Sequence, residues 1–199
     1  MAPLVSVAEY MSTSYHPDRE YIDGQVIERN LGERTHSATQ GDVLFYLVAR
    51  SAELGIEVFP GVRVQVSPTR FRVPDVTVVK QSQEQGEIFT NPPHLCIEIL
   101  SRDDTMEYMQ PKIDDYLNFG VAYVWIINPW NRKGYVVTSE GMFEAKSGIL
   151  ETKDPAISVP LGRRINVGRR PSNLRLHRSF ATYGSYRAEL REFWIEENV

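Results

Sequence analysis

Residues 94–127 constrain the fold of this chain more than any other stretch. A β-branched run at 94–100 leads through the turn Ser101-Arg102-Asp103-Asp104 into a helical pattern that ends at Gly120. Ala122 to Ile127 is again β-branched and aromatic, and Asn128-Pro129 stops it. Strand, helix and strand in that order require a parallel pair with a crossover, because a parallel connection needs a dozen or more residues. Proline suits the first helical position, so this helix is expected to start at Pro111, with Ile113, Tyr116 and Leu117 facing the core.

The rest of the chain adds antiparallel pairs. Ser6 and Glu9 have capping-box spacing for a short first helix. Asp23-Gly24 between apolar flanks predicts a hairpin over residues 21–28. Thr35 to Glu53 reads as the longest helix. Ala38, Phe45, Val48 and Ala52 form its apolar face, Leu44 and Leu47 lie beside it, and Gly55 ends it. Strands are expected at about 56–60, 62–67 and 72–79, then a polar loop at 81–93. A strand-rich end follows at 134–138, 143–146 and 148–152. The pattern predicts a mixed sheet in an α/β (α+β) fold.

A chain of 199 residues fits one domain with a small appendage. No stretch reaches the roughly 18 uncharged apolar residues of a membrane span, and residues 1–10 lack the basic and apolar regions of a signal peptide. Cys96 is the only cysteine, which excludes an intramolecular disulfide and a cysteine-based zinc site. A cytoplasmic setting is the expectation. Charge is uneven. Residues 1–160 hold 14 Lys and Arg against 22 Asp and Glu, a balance of −8; residues 161–199 hold 8 Arg against 4 Glu, a balance of +4. An acidic body offers no global attraction to a polyanion, so any phosphate binding must be local or assisted.

Two of the β-branched runs each carry one carboxylate: Asp75 within Val73-Pro74-Asp75-Val76-Thr77-Val78-Val79, and Glu98 within Cys96-Ile97-Glu98-Ile99-Leu100. A buried, unpaired carboxylate costs several kcal/mol, so two such strands are expected to gather their charges around something positive. A divalent cation is the natural candidate. A start at Pro111 would place Lys112 in the first turn of its helix, where a cation opposes the dipole by about 0.3–1 kcal/mol. A residue that breaks a local rule without gain is a candidate for function. Glu20 stands just before the hairpin. Two carboxylates and a lysine are what metal-dependent phosphodiester hydrolysis needs. Each residue also has a plain reading: a turn cap for Asp75, a solvent face for Glu98, surface charges for Lys112 and Glu20, and a capping or surface histidine for His36.

Six strings in order resemble the Uma-two-type family of bacterial endonucleases, within the PD-(D/E)XK nuclease superfamily. They are Glu20-Tyr21-Ile22-Asp23-Gly24; His36 with Gln40-Gly41; Arg72-Val73-Pro74-Asp75-Val76; residues 93–101; Lys112 with Tyr116 and Gly120; and residues 123–129. The likeness runs from about residue 5 to about residue 160, and Pro155 to Leu161 resembles the family's usual ending. The resemblance implies a restriction-endonuclease-like fold, a mixed sheet flanked by helices, and Mg²⁺-dependent cleavage of DNA, with Mn²⁺ as a substitute ion. It assigns Asp75 and Glu98 as the metal-binding carboxylates. The superfamily's lysine position, two residues after the second carboxylate, is Leu100 here. The resemblance moves that role to Lys112, and it lets Glu20 assist a second metal or a water.

The expected division is an endonuclease-like domain over 1–161 and a basic, poorly ordered extension over 162–199. DNA is the expected partner and no membrane partner is expected. A homodimer is one option that the sequence leaves open. The alternative function is a nuclease-fold protein that no longer cuts and serves as a nucleic-acid or protein binding module. A hydrolase acting on a small phosphoester is a third reading.

Overall fold

The computed structural model describes residues 4–29 and 33–162; the extension beyond Gly162, and every expectation placed on it, lies outside the described residues. Helix α1 spans Val7–Ser12, and the Ser6 side chain caps it by accepting from the Glu9 N–H. Strands β1 (Glu20–Ile22) and β2 (Gln25–Ile27) form the Asp-Gly hairpin, with Asp23 at φ 49° and Gly24 at φ 94°. Positive φ at both central residues is the turn whose twist matches a hairpin. Helices α2 (Arg34–Val48) and α3 (Ser51–Leu54) follow, then β3 (Ile56–Pro60), β4 (Val64–Ser67), β5 (Arg70–Arg72) and β6 (Val76–Lys80). The crossover unit is β7 (Leu95–Ile99), α4 (Met106–Phe119) and β8 (Tyr123–Asn128). The chain then forms β9 (Lys133–Thr138), β10 (Gly141–Glu144), β11 (Ile149–Glu151) and β12 (Ser158–Pro160).

The central sheet has the strand order β10-β9-β8-β7-β6-β3, and a smaller sheet has the order β2-β1-β5-β4. Among the described strands of the central sheet, only β7 and β8 pair in parallel, as the strand–helix–strand passage requires. Side-chain alternation gives the central sheet two apolar faces. Val76, Val78, Leu95, Ile97, Ile99, Trp125 and Ile127 pack with Val43 and Leu47 of α2. Val79, Cys96, Val124 and Ile126 pack with Met109, Ile113 and Tyr116 of α4. The sheet is thus sandwiched between α2 and α4. A third cluster, Tyr10, Tyr21 and Phe71, fastens α1 to the smaller sheet.

Four expectations need correction. The long helix over 35–53 is two helices, and its buried residues are His36, Val43 and Leu47; Phe45 is 58% exposed. His36, Gln40, Val43 and Leu47 form one stripe at helical spacing, but two of its members are polar and hide it from an apolar count. The strand over 72–79 is broken at Val73–Asp75, so β5 belongs to the smaller sheet and β6 to the central one. Pro74 lacks a ladder donor and marks this corner. The crossover helix starts at Met106, not Pro111, because the Thr105 hydroxyl caps it by accepting from the Tyr108 N–H. Lys112 therefore sits mid-helix, and the dipole argument for it does not apply. Finally, His36, Lys112 and Glu20 are not surface groups; they are 8%, 5% and 1% exposed.

Candidate active site

The two carboxylates meet because of register. In the antiparallel pair β6–β7, Val76 stands opposite Ile97, so Asp75, one residue earlier, comes opposite Glu98. Both line one cleft, together with Arg29, His36, Ile99, Ser101, Asp104, Tyr108, Met109 and Lys112. Its free volume is about 20 Å³, room for about one water-sized body.

Asp75 is held from several sides. The Ile99 N–H donates to its Oδ2 at 2.8 Å and His36 Nε2 donates to the same oxygen at 3.1 Å. Arg29 Nη2 donates to Oδ1 at 2.6 Å. The Gln40 side-chain amide donates to the Asp75 carbonyl at 2.8 Å, which fixes the backbone at the corner. Burial pushes the Asp75 pKa up, but the His36 hydrogen bond and the Arg29 charge outweigh it and the net shift is downward. His36 is raised, chiefly by its hydrogen bond to Asp75.

Glu98 shares its side of β7 with Cys96 and so faces α4. The Tyr116 hydroxyl donates to its Oε1 at 2.6 Å, and Lys112 Nζ donates to Oε2 at 3.4 Å. Burial, with Asp75 and Glu20 nearby, raises the Glu98 pKa despite the Lys112 charge. Lys112 shows the opposite balance: burial pushes its pKa down, but Glu98 and Glu20 pull it further up, so it remains an ammonium.

Glu20 does not line the cleft. It lies behind Lys112, with Oε1 3.1 Å from Nζ and Oε2 accepting from Arg72 Nη1 at 2.7 Å. Burial raises its pKa, but Lys112 and Arg72 dominate and hold it below the ordinary value. Arg72 Nε also donates to Asp115 Oδ2 at 2.7 Å, and Arg70 Nη1 donates to Asp115 Oδ1 at 2.7 Å. The smaller sheet is thereby tied to α4, and Lys112 is fixed from behind.

The donor chemistry fits a hard cation. Mg²⁺ is held through one or two carboxylates and keeps several waters, and Asp75 and Glu98 supply two carboxylates to one cleft. Among the described residues no group of three or more His, Cys, Asp or Glu forms a ready-made metal cage. Any cation would depend on water or substrate oxygens for its remaining ligands.

Sequence reasoning missed Arg29, and nothing in its local pattern distinguishes it. It treated Tyr116 as a core residue, which is true of the ring but not of the hydroxyl. Asp115 had no local signal either, because its partners Arg70 and Arg72 lie 45 and 43 residues away in sequence.

A family model described as "Putative restriction endonuclease" (Uma2) matches residues 9–167. The fold resembles a crystal structure of a "putative nuclease belonging to DUF820" from Anabaena variabilis, with a TM-score of 0.64 and 22% identity. The match covers 74% of this chain and 88% of that one. That likeness shows the fold. Among curated proteins, none matches the chain.

Proposed function

The chain belongs to the Uma2 family of restriction-endonuclease-type proteins, and from that premise we propose that it is a metal-dependent DNA endonuclease hydrolysing phosphodiester bonds. Asp75 and Glu98 would hold Mg²⁺ or Mn²⁺. When bound, such an ion polarises a phosphoryl oxygen and makes a bound water a better nucleophile. The observation that supports this reading best is the convergence of Asp75, Glu98 and Lys112 on one cleft, from the corner that precedes β6, from β7 and from α4.

The residues divide the work by their protonation. Lys112 stays charged, so it stabilises developing negative charge rather than accepting a proton. Tyr116 fixes the rotamer of Glu98 through a 2.6 Å hydrogen bond. Glu20 positions Lys112 and does not touch the reacting atoms. His36, engaged by Asp75, orients that carboxylate. Among the described residues no helix is long and apolar enough to cross a membrane, so a soluble DNA substrate raises no conflict.

The test is cleavage of supercoiled plasmid in Mg²⁺ or Mn²⁺ by wild type and Asp75→Ala. Losing one such electrostatic element costs about 10²–10³ in rate, so nicking should vanish in the variant. The binding-module alternative has two observations in its favour, the absence of a lysine at Leu100 and the acidic balance of residues 1–160. It predicts plasmid retention without cleavage, unaffected by Asp75→Ala; that result would displace the nuclease reading.

A further inference from the structure

We propose that Arg29 is an internal counter-ion that closes the metal position at Asp75, so that a divalent cation binds there only by displacing the guanidinium. The inference rests on the reading above, in which Asp75 is a metal ligand.

The geometry leaves few ways for a cation to reach Asp75. Oδ2 already accepts from the Ile99 N–H and from His36. The first of these donors belongs to β7 and cannot leave without breaking the strand. The backbone at this corner is fixed as well, because Gln40 holds the Asp75 carbonyl. Oδ1 accepts from Arg29 at 2.6 Å, so it is the oxygen from which one partner must be exchanged. Arg29 is also the looser neighbour: its side chain is 20% exposed against 10% for His36.

Space and charge lead to the same residue. With Arg29 in place the cleft has about 20 Å³ free, room for about one water-sized body. A cation that keeps several waters does not fit until a side chain retreats. Within the cleft itself, Asp75, Glu98 and Asp104 stand with Arg29, Lys112 and His36. Departure of Arg29 removes the positive charge that stands 2.6 Å from Asp75 Oδ1 and so favours a divalent ion there. Lys112 and Arg72 are too deeply buried to leave, at 6% side-chain exposure each.

The experiment is Mn²⁺ binding by the full-length protein, read from the resonance of free Mn²⁺, for wild type, Arg29→Ala, Arg29→Gln, Arg29→Lys and Asp75→Asn. It is run at about 0.5 M KCl, where screening over about 4 Å suppresses the general field of the arginine and leaves contact competition. Arg29→Ala and Arg29→Gln should bind Mn²⁺ about tenfold tighter or more. Arg29→Lys, which keeps a competing cation, should stay within about threefold of wild type. If Arg29→Ala does not fold, Arg29→Gln carries the comparison. Unchanged or weaker binding in the neutral variants overturns the inference. Asp75→Asn separates the two failures. If it loses binding while the neutral Arg29 variants match wild type, only the Arg29 inference falls. If Asp75→Asn binds like wild type, or no protein binds Mn²⁺, the metal reading falls and the inference with it.

Discussion

Replacing Lys112 by methionine should expose how the cleft carries its charge. The substitution keeps the length of the side chain and removes the ammonium that stands 3.1 Å from Glu20 and 3.4 Å from Glu98. At an effective dielectric constant of about 20, each contact is worth about 5 kcal/mol before desolvation is subtracted. Glu20 keeps Arg72 at 2.7 Å, so the loss falls mainly on Glu98, which retains the Tyr116 hydroxyl. A buried carboxylate without a cation takes up a proton instead. Holding it neutral at pH 7 against an ordinary value of 4.5 costs about 3.4 kcal/mol, at about 1.36 kcal/mol per pH unit. That figure bounds the Glu98 contribution, because burial already raises its pKa in the native protein. The sign follows from proton counting. The folded variant binds one proton more than the unfolded chain above pH 4.5, so its stability falls as pH rises. Urea unfolding of Lys112→Met should show a deficit of about 3 kcal/mol at pH 7, shrinking to about 1 kcal/mol at pH 5. Adding Glu98→Gln should remove the slope. A deficit below about 1 kcal/mol at pH 7, or one independent of pH, would refute this account of the buried charges. Plasmid cleavage by Lys112→Met should be lost at every pH at which it is folded.

Glu20 gives the opposite pH dependence. Its folded pKa lies below the ordinary value, so the stability it contributes is present above about pH 4.5 and is lost as pH falls through the folded value. Urea midpoints between about pH 3 and pH 6 should fall steeply in wild type and less steeply in Glu20→Gln. Tyr116→Phe removes the hydroxyl donor to Glu98 and should destabilise by about 1–3 kcal/mol, measured at pH 7. The same variant should slow cleavage through a misplaced carboxylate. Deleting residues 162–199 should leave the salt dependence of DNA binding unchanged, although each phosphate contact made by its arginines would contribute about −0.9 to the slope of log affinity against log salt. A flatter slope after truncation would assign the eight arginines of this segment to DNA contact.

Legibility in the sequence followed the kind of force involved. The Asp23-Gly24 hairpin, the glycine stop at Gly120 and the parallel β7–β8 pair were readable because backbone geometry dictates them locally. The α2 face was misread because its buried stripe includes His36 and Gln40, both engaged with Asp75. The polar residues that obscure the helix pattern are the ones that build the site. Arg29 was invisible for a different reason. Its partner Asp75 is 46 residues away in sequence, and only the fold brings a position just past β2 to the corner that precedes β6.

The lysine problem shows why a motif read by spacing can fail while the chemistry it stands for survives. At the expected position, Leu100 lies just past the end of β7, its N–H donating to the Ile127 carbonyl and its side chain packing beside the α4 core. A cationic side chain there would take its charge into that apolar margin. The crossover connection offers another route. Because β7 and β8 are parallel, α4 must run back across the sheet face that carries Glu98. Residues 109, 112, 113 and 116 then form one stripe at spacings of three and one, and all four are buried. Three of them supply core or hydroxyl contacts, and the fourth delivers an ammonium to Glu98. What the cleft requires is a positive charge at a point in space, and topology makes the helix a second route to that point. Glu20 and Arg72, from the smaller sheet, hold this lysine in place. The family strings around Glu20 and Arg72 thus have a physical basis that does not require either residue to touch a substrate.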